Sequence, residues 1–376
     1  MPNFQAATQL KTTLNYLKQR FVGKDEIIDL FGIGLVAREN VFLLGPPGTA
    51  KSAMVRELAA LLHGQTFEYL LTRFTEPNEL FGPFDIRKLR EGELITNTEG
   101  MLPEADLIFL DELLNANSAI LNSLLMVLNE RIFRRGRETR KLPALMIVGA
   151  SNHLPEDEAL NALFDRFLIR VRCDNVAPDQ LSAVLDAGWA LESQGSVATP
   201  EIAASTIKSL QMQLSDIDLN GIHREYLELI HKLRNAGVQV SDRRAVKIQR
   251  LVAASALLCE RDHALVSDLW VARYIWDTEE QREVIAEIVN SVFAKEESSE
   301  VQHPRARNSS APNADDLYRE VENIAQQWDN AQLNAAEKAV LKDKLRYLSG
   351  RCAWITESTQ REFVQTAVDQ LWTKMM

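Results

Sequence analysis

The sequence predicts an α/β fold, a parallel sheet flanked by helices and continued by all-helical regions. Three observations carry this expectation. Short apolar runs recur at 41–44, 107–110, 145–148 and, interrupted by Arg170, at 168–171, as in strands buried on both faces. Stretches with helical spacing separate them. Beyond residue 178 only helical periodicity remains.

The stretch V-F-L-L-G-P-P-G-T-A-K-S (41–52) organises the N-terminal half. A buried strand enters a Gly/Pro turn, and Lys51-Ser52 open a helical pattern over 53–62. Strand, glycine loop, Lys-Ser and helix are the ordered parts of a P-loop. Gly45, Pro46, Pro47, Gly48, Thr49, Ala50 and Ala53 would wrap phosphates with backbone N–H groups and a helix N-terminus. Lys51 would reach the β- and γ-phosphates of ATP, and the Ser52 hydroxyl would hold Mg²⁺. The usual G-x-x-x-x-G-K-[ST] pattern has glycine where this chain has Ala50.

Ahead of the loop, Leu10, Leu14 and Leu17 share one helical face, and a second helix is expected over 25–38. Val22 and Gly23, between these helices, are placed to fold over the adenine ring or merely to cover the sheet edge. Behind the loop, Glu68-Tyr69-Leu70-Leu71 reads as a strand, 75–83 as turn, and 92–103 as a small hairpin. The run L-I-F-L then ends in Asp111-Glu112, the Walker B pattern. Asp111 would bind Mg²⁺, and Glu112 would orient and polarise the attacking water.

Leu121, Leu124, Leu125 and Leu128 stripe a helix over 118–129. Residues 131–141 carry six basic side chains and one acid and read as a hairpin. Its arginines would engage an acidic segment of another protein, pair with acids of an adjacent subunit, or simply be solvated. The next strand ends at Ser151-Asn152, whose amide could bond the water or the γ-phosphate. Asp165-Arg166-Phe167 precede the last strand.

Four regions follow from the composition: a nucleotide-binding core at 1–177, a helical lid at 178–294, a flexible linker at 295–316 and a C-terminal helical region at 317–376. In the lid, Tyr226, Leu229, Ile230 and Leu233 share a face, and Ser241 caps a helix with Arg243 in its first turn. All six tryptophans lie beyond the core and read as helical packing.

With 376 residues, 46% hydrophobic and 25% charged, the composition is that of an ordinary globular protein of roughly two or three domains. No run reaches the ~18–20 apolar residues of a membrane helix, and residues 1–18 have no signal-peptide character, so a cytoplasmic protein is expected. The three cysteines are far apart, and neither they nor the six histidines have zinc-site spacing. A net charge of −11 disfavours nucleic acid as a partner.

Taken together, the P-loop with its Ala50, T-R-F-T-E-P-N-E-L-F-G-P, G-M-L-P-E-A-D, L-I-F-L-D-E, L-N-E-R-I-F, A-S-N, F-D-R-F and S-D-R-R resemble the AAA+ ATPases, and within them the RavA-type branch of the MoxR family. The resemblance runs from Phe21 to about Asp262 and implies roles for single residues. Asn152 matches the sensor-1 position, and Arg166 the arginine finger that reaches a neighbouring subunit. Arg243 matches the sensor-2 arginine, with Arg244 as the lesser candidate. The 92–103 and 131–141 insertions look like the helix-2 insert and pre-sensor hairpin that line a ring's opening. The inserted β-module of RavA-type proteins has no counterpart in 317–376. The resemblance further implies a hexamer using ATP and Mg²⁺ to remodel or mature a protein complex, with a von Willebrand factor A-domain partner. The rivals are a non-ring P-loop enzyme, such as a small-molecule kinase, and an AAA+ nucleic-acid motor or loader.

Overall fold

The computed structural model describes residues 4–135, 138–155, 157–176, 180–193, 199–293, 303–307, 314–328 and 358–375, with scattered positions between 338 and 352. Five parallel strands lie in the order β3-β4-β7-β1-β8: β1 (Val41–Leu44), β3 (Thr66–Leu70), β4 (Leu107–Asp111), β7 (Met146–Ser151) and β8 (Ile169–Arg172). β1, β4 and β7 coincide with apolar runs of the sequence, β8 carries Arg170 within its run, and β3 begins two residues before the expected 68–71. β1, between β7 and β8, is buried at every residue. The register aligns Val41 with Val148 and Ile169, and Leu44 with Ser151 and Arg172. Every strand therefore ends at the same edge of the sheet.

Helices α1 (Gln5–Arg20), α2 (Asp25–Ala37), α3 (Lys51–Leu61) and α6 (Ser118–Glu130) cover the sheet. Leu10, Leu14 and Leu17 are buried, as the spacing predicts. Asn117 caps α6 by accepting from the Ala119 and Ile120 N–H groups. Further on, α8 (Leu181–Ser193) and α9 (Ala204–Gln213) lie against α1, and the two-residue strand β9 (Ile202–Ala203) pairs with β2 (Leu62–His63).

Between 83 and 97 there is no regular hairpin. Asp85 Oδ1 accepts from the Arg87 and Lys88 N–H groups and starts the short helix α5 (Ile86–Arg90), leaving only the Phe84–Thr96 bridge as antiparallel pairing. The basic segment does form a hairpin, β5 (Ile132–Arg135) against β6 (Glu138–Lys141), with its tip outside the described residues.

Helices α10 (His223–Asn235), α11 (Asp242–Leu258) and α12 (Glu279–Phe293) form the helical region, joined by a 3-10 stretch, Val266–Tyr274. Tyr226, Leu229, Ile230 and Leu233 are buried, and Ser241 caps α11 by accepting the Arg244 N–H. This region is tied to the sheet by charge. Arg170, fully buried in β8, donates to Asp277 and to the Trp276 carbonyl. Arg244 of α11 donates to both Asp277 oxygens at 3.1 Å. Burial, with Arg244 alongside, pulls Arg170 down to about 10.

Most of the expected linker, 295–316, lies outside the described residues. The part that is described, 303–307, is docked. His303 is buried, stacks on Trp270 with ring centroids 4.9 Å apart, and donates its backbone N–H to Ser267 Oγ. Arg305 donates to Asp29 of α2 at 2.7 Å. Composition concealed this because the docking rests on one ring and one ion pair rather than on aliphatic residues.

The chain divides into two compact units, 1–307 and 308–376. In the second, α14 (Ala314–Trp328) and α15 (Ser358–Met375) pack around Leu317, Val321, Leu345, Val364 and Val368.

Candidate functional site

The loop after β1 passes so close to the chain leaving β8 that a Cβ on Gly45 would lie 2.1 Å from the Cys173 carbonyl oxygen. Only glycine fits there. Gly48 has φ 81°, and a Cβ on it would meet nothing within 4 Å. Ala50 takes φ 66° immediately before α3, a left-handed conformation that glycine accepts without strain.

Lys51 is buried, and its ammonium donates to the Gly45 carbonyl (2.6 Å), the Pro46 carbonyl (2.8 Å) and Asn152 Oδ1 (3.0 Å). The loop is thus wound about a cation. Ser52 Oγ donates to Asp111 Oδ2 at 2.7 Å. Pro47, Gly48 and Ala53 are exposed along the rim, while Thr49 is buried with its hydroxyl on the Pro46 carbonyl. Val22 is half-buried, and the adjacent Gly23 lies against the chain that follows β8, since a Cβ on Gly23 would lie 2.8 Å from Gln180 Oε1 and 3.0 Å from Val176.

Glu112 follows β4 with φ 50°, and Asn152 Nδ2 donates to its Oε1 at 2.5 Å. Asn115 Nδ2 approaches the other oxygen at 3.4 Å. Burial, and then the neighbouring Asp111 carboxylate, raise the Glu112 pKa above the ordinary value. Lys51, Ser52, Asp111, Glu112 and Asn152 therefore meet at the edge where the strands end.

Arg166 and Arg243 are not part of that group. Arg166 precedes β8, its carbonyl is held by Asn40 Nδ2 at 2.8 Å, and Asn40 immediately precedes β1. This is the opposite edge of the sheet, a strand length of about 13 Å from the loop. Here Arg166 and Arg243 line one cleft of about 480 Å³, together with Arg234, Arg244 and Lys247. The Arg244 guanidinium is taken up by Asp277, while the Arg166 side chain pairs with the adjacent Asp165 at 2.8 Å.

Three of the hairpin's six basic side chains are engaged within their own chain. Arg131 is half-buried and donates to Asn40 Oδ1. Arg135 donates to the Gly82 carbonyl and Asn78 Oδ1 and lies over the Phe84 ring at 4.0 Å. Arg140 donates to Thr98 Oγ1 at 2.8 Å. Hairpin and preceding insertion brace each other, and Arg134 remains exposed.

Sequence reasoning missed Asn40, Asn115 and Asp277. Asn115, three residues beyond Glu112, could have been found from its spacing. Asp277 gave no signal, because its partners lie 107 and 33 residues away.

The site suits a nucleotide with Mg²⁺. A hydroxyl and a carboxylate 2.7 Å apart make an oxygen donor pair of the kind Mg²⁺ takes alongside phosphates and water. Among the described residues there is no group of three or more His, Cys, Asp and Glu able to hold a metal alone. No helix among them is long and apolar enough to cross a membrane.

Comparison with known proteins agrees with this geometry. A sequence profile of the MoxR domain in the MoxR-vWA-beta-propeller ternary systems matches residues 8–212, and an AAA lid domain profile matches 218–289. The Methanocaldococcus jannaschii protein MJ0812 is 36% identical over 262 residues, 69% of each chain. MJ0079 of the same organism is 33% identical over 74% of this chain and 73% of its own. Chaperone MoxR1 of Mycobacterium tuberculosis is 27% identical over 46% of each chain. A crystal structure from Cytophaga hutchinsonii has a TM-score of 0.62 at 17% identity, covering 78% of this chain and 96% of that one, a likeness of fold. The chain belongs to the MoxR family of AAA+ ATPases.

Proposed function

We propose that the protein hydrolyses ATP as a head-to-tail ring, a hexamer in the simplest case, and couples that hydrolysis to remodelling of a protein complex. The observation that carries the reading is the separation of Lys51 from Arg166 and Arg243 by the length of β1. Within one chain these cations cannot meet on one γ-phosphate. A second copy that presents its arginine edge to the P-loop edge of the first would complete the site, and repetition of that contact closes a ring.

In this reading Gly45 to Ala53 hold the phosphates, Val22 and Gly23 cover the base, and Ser52 with Asp111 hold Mg²⁺. The bound ion would neutralise charge between the β- and γ-phosphates. Glu112 accepts the proton of the attacking water, and Asn152 orients its carboxylate. Arg166 from the neighbour stabilises the developing charge, a contribution of about 10³–10⁵ in rate. Arg243, in the same cleft, also acts on the neighbour's nucleotide. A von Willebrand factor A-domain partner is proposed because the matching MoxR domain is described from MoxR-vWA systems.

Sedimentation velocity on Glu112→Gln, with and without ATP and Mg²⁺, tests the reading. ATP-driven assembly to a hexamer supports it. A chain that binds ATP tightly yet stays monomeric overturns it in favour of a non-ring enzyme.

A further inference from the structure

Phe74 is 90% exposed, yet the turn that carries it is pinned by hydrogen bonds on both sides. It sits in the turn Thr72-Arg73-Phe74-Thr75, after β3. The Thr72 N–H donates to Thr75 Oγ1 (2.9 Å), the Phe74 N–H to Thr72 Oγ1 (3.2 Å) and the Thr75 N–H to the Thr72 carbonyl (3.2 Å). From α6, Asn117 Nδ2 donates to the carbonyls on either side of Phe74, of Arg73 at 3.2 Å and of Thr75 at 2.7 Å. Both threonine hydroxyls and one side-chain amide thus fix a turn whose central ring touches little. An exposed aromatic on a loose loop implies nothing. One carried on a turn fixed in this way is presented at a defined place, as a contact for a surface that is not in this chain requires.

The position of the turn says which surface. The Leu71 N–H donates to the Asp111 carbonyl at 2.9 Å, which fixes the turn at the edge that carries Asp111 and Glu112. Leu70, 59% exposed, ends the strand beside it. Two strands, β4 and β7, separate β3 from β1, so the turn lies three strand spacings, about 14 Å, from the P-loop strand. A stable interface covers about 800 Å² per partner, a patch of about 16 Å radius. A surface that brings an arginine onto the P-loop therefore extends over Phe74 as well.

Charge selects the occupant. This edge carries Asp111 and Glu112 and would carry the phosphates of a bound nucleotide. The opposite edge is richer in cations, with Arg243 exposed beside Arg166, Arg234 and Lys247, which pair with Asp165, Asp242 and Glu39. The cation-rich edge suits the acidic one, and exposed guanidinium groups are good partners for an aromatic face.

We propose that Phe74 is the apolar anchor between copies of this chain, packing on the arginine-bearing edge of the next copy. This rests on the head-to-tail reading above. It adds that assembly depends on a residue that neither binds nucleotide nor reacts.

The test is sedimentation velocity over a concentration series, with ATP and Mg²⁺, on Glu112→Gln and on Glu112→Gln carrying Phe74→Ala. At 90% exposure the ring supports no fold, so Phe74→Ala should keep the parent's thermal midpoint and its affinity for a fluorescent ATP analogue. The expected result is a rise of about tenfold or more in the concentration at which the ring half-assembles. An unchanged midpoint overturns the proposal, and if stimulation by a protein client is lost at the same time, the ring contacts the client instead. Failure of the parent itself to assemble is a different result, which removes the head-to-tail reading and this anchor with it.

Discussion

Asn152 Oδ1 accepts a hydrogen bond from the Lys51 ammonium at 3.0 Å, while the amide nitrogen of the same side chain donates to Glu112 Oε1. One planar group thus links the cation proposed to meet phosphate to the carboxylate proposed to meet water, and each end fixes the other. Asn152→Ala would leave the phosphate cradle standing and release both. Removal of one oriented group of this kind costs about 10²–10³ in kcat. Steady-state hydrolysis should fall by that factor, while equilibrium binding of ATP changes only a few-fold.

Asp277 stands between two buried guanidinium groups, Arg170 and Arg244. Asp277→Ala leaves both without their counter-charge, and breaking a buried pair in this way costs about 3–5 kcal/mol. Urea denaturation should show that loss. Arg244→Met should cost less than Asp277→Ala, because one of the two like charges leaves as well.

Ala50 pays a conformational penalty at φ 66° that glycine would avoid. A left-handed alanine costs about 1–2 kcal/mol, partly offset by the greater freedom of an unfolded glycine. Ala50→Gly should therefore raise stability by about 1 kcal/mol in chemical denaturation, with nucleotide affinity unchanged. Ala50→Val should lower stability.

His303 is held neutral. Burial pulls its pKa from 6.5 down to about 4, against the pull of Asp268 and Asp29 and with help from Arg261 and Arg305. Since the folded pKa lies below the unfolded one, the docking is fully stable above about pH 6.5 and weakens as pH falls toward 4. The total loss approaches about 3 kcal/mol. Cleavage after Arg305 and Arg307, or hydrogen exchange at the Trp270 indole, should accelerate over that interval. His303→Phe keeps a ring against Trp270 and should abolish the pH dependence.

β1, β4 and most of β7 were legible as apolar runs, β8 despite its buried Arg170 and β3 only roughly, and the P-loop was legible because its chemistry is contiguous in sequence. The Asp111-Glu112 and Asn152 placements follow from strand ends alone once the sheet is parallel. What the sequence concealed was long-range and polar. The His303 docking uses a ring and an ion pair that no periodicity marks. The 92–103 stretch alternates like a hairpin, yet Asp85 starts a helical turn just before it. Arg135 and Arg140 looked available to another molecule, and their partners, Asn78, Gly82 and Thr98, are ordinary turn residues in sequence. That Arg166 and Arg243 share a cleft could not be read from positions 77 residues apart.

The length of β1 has a stoichiometric consequence. In the head-to-tail reading proposed above, a chain with Lys51 at one edge of its sheet and Arg166 at the other holds two halves of different sites and no whole one. Two crippled variants can then repair each other. Lys51→Ala and Arg166→Ala, each inactive alone, would form competent junctions wherever the intact lysine of one meets the intact arginine of the other. With random mixing in equal parts, that is about a quarter of all junctions, so a dead preparation added to another dead preparation should hydrolyse ATP.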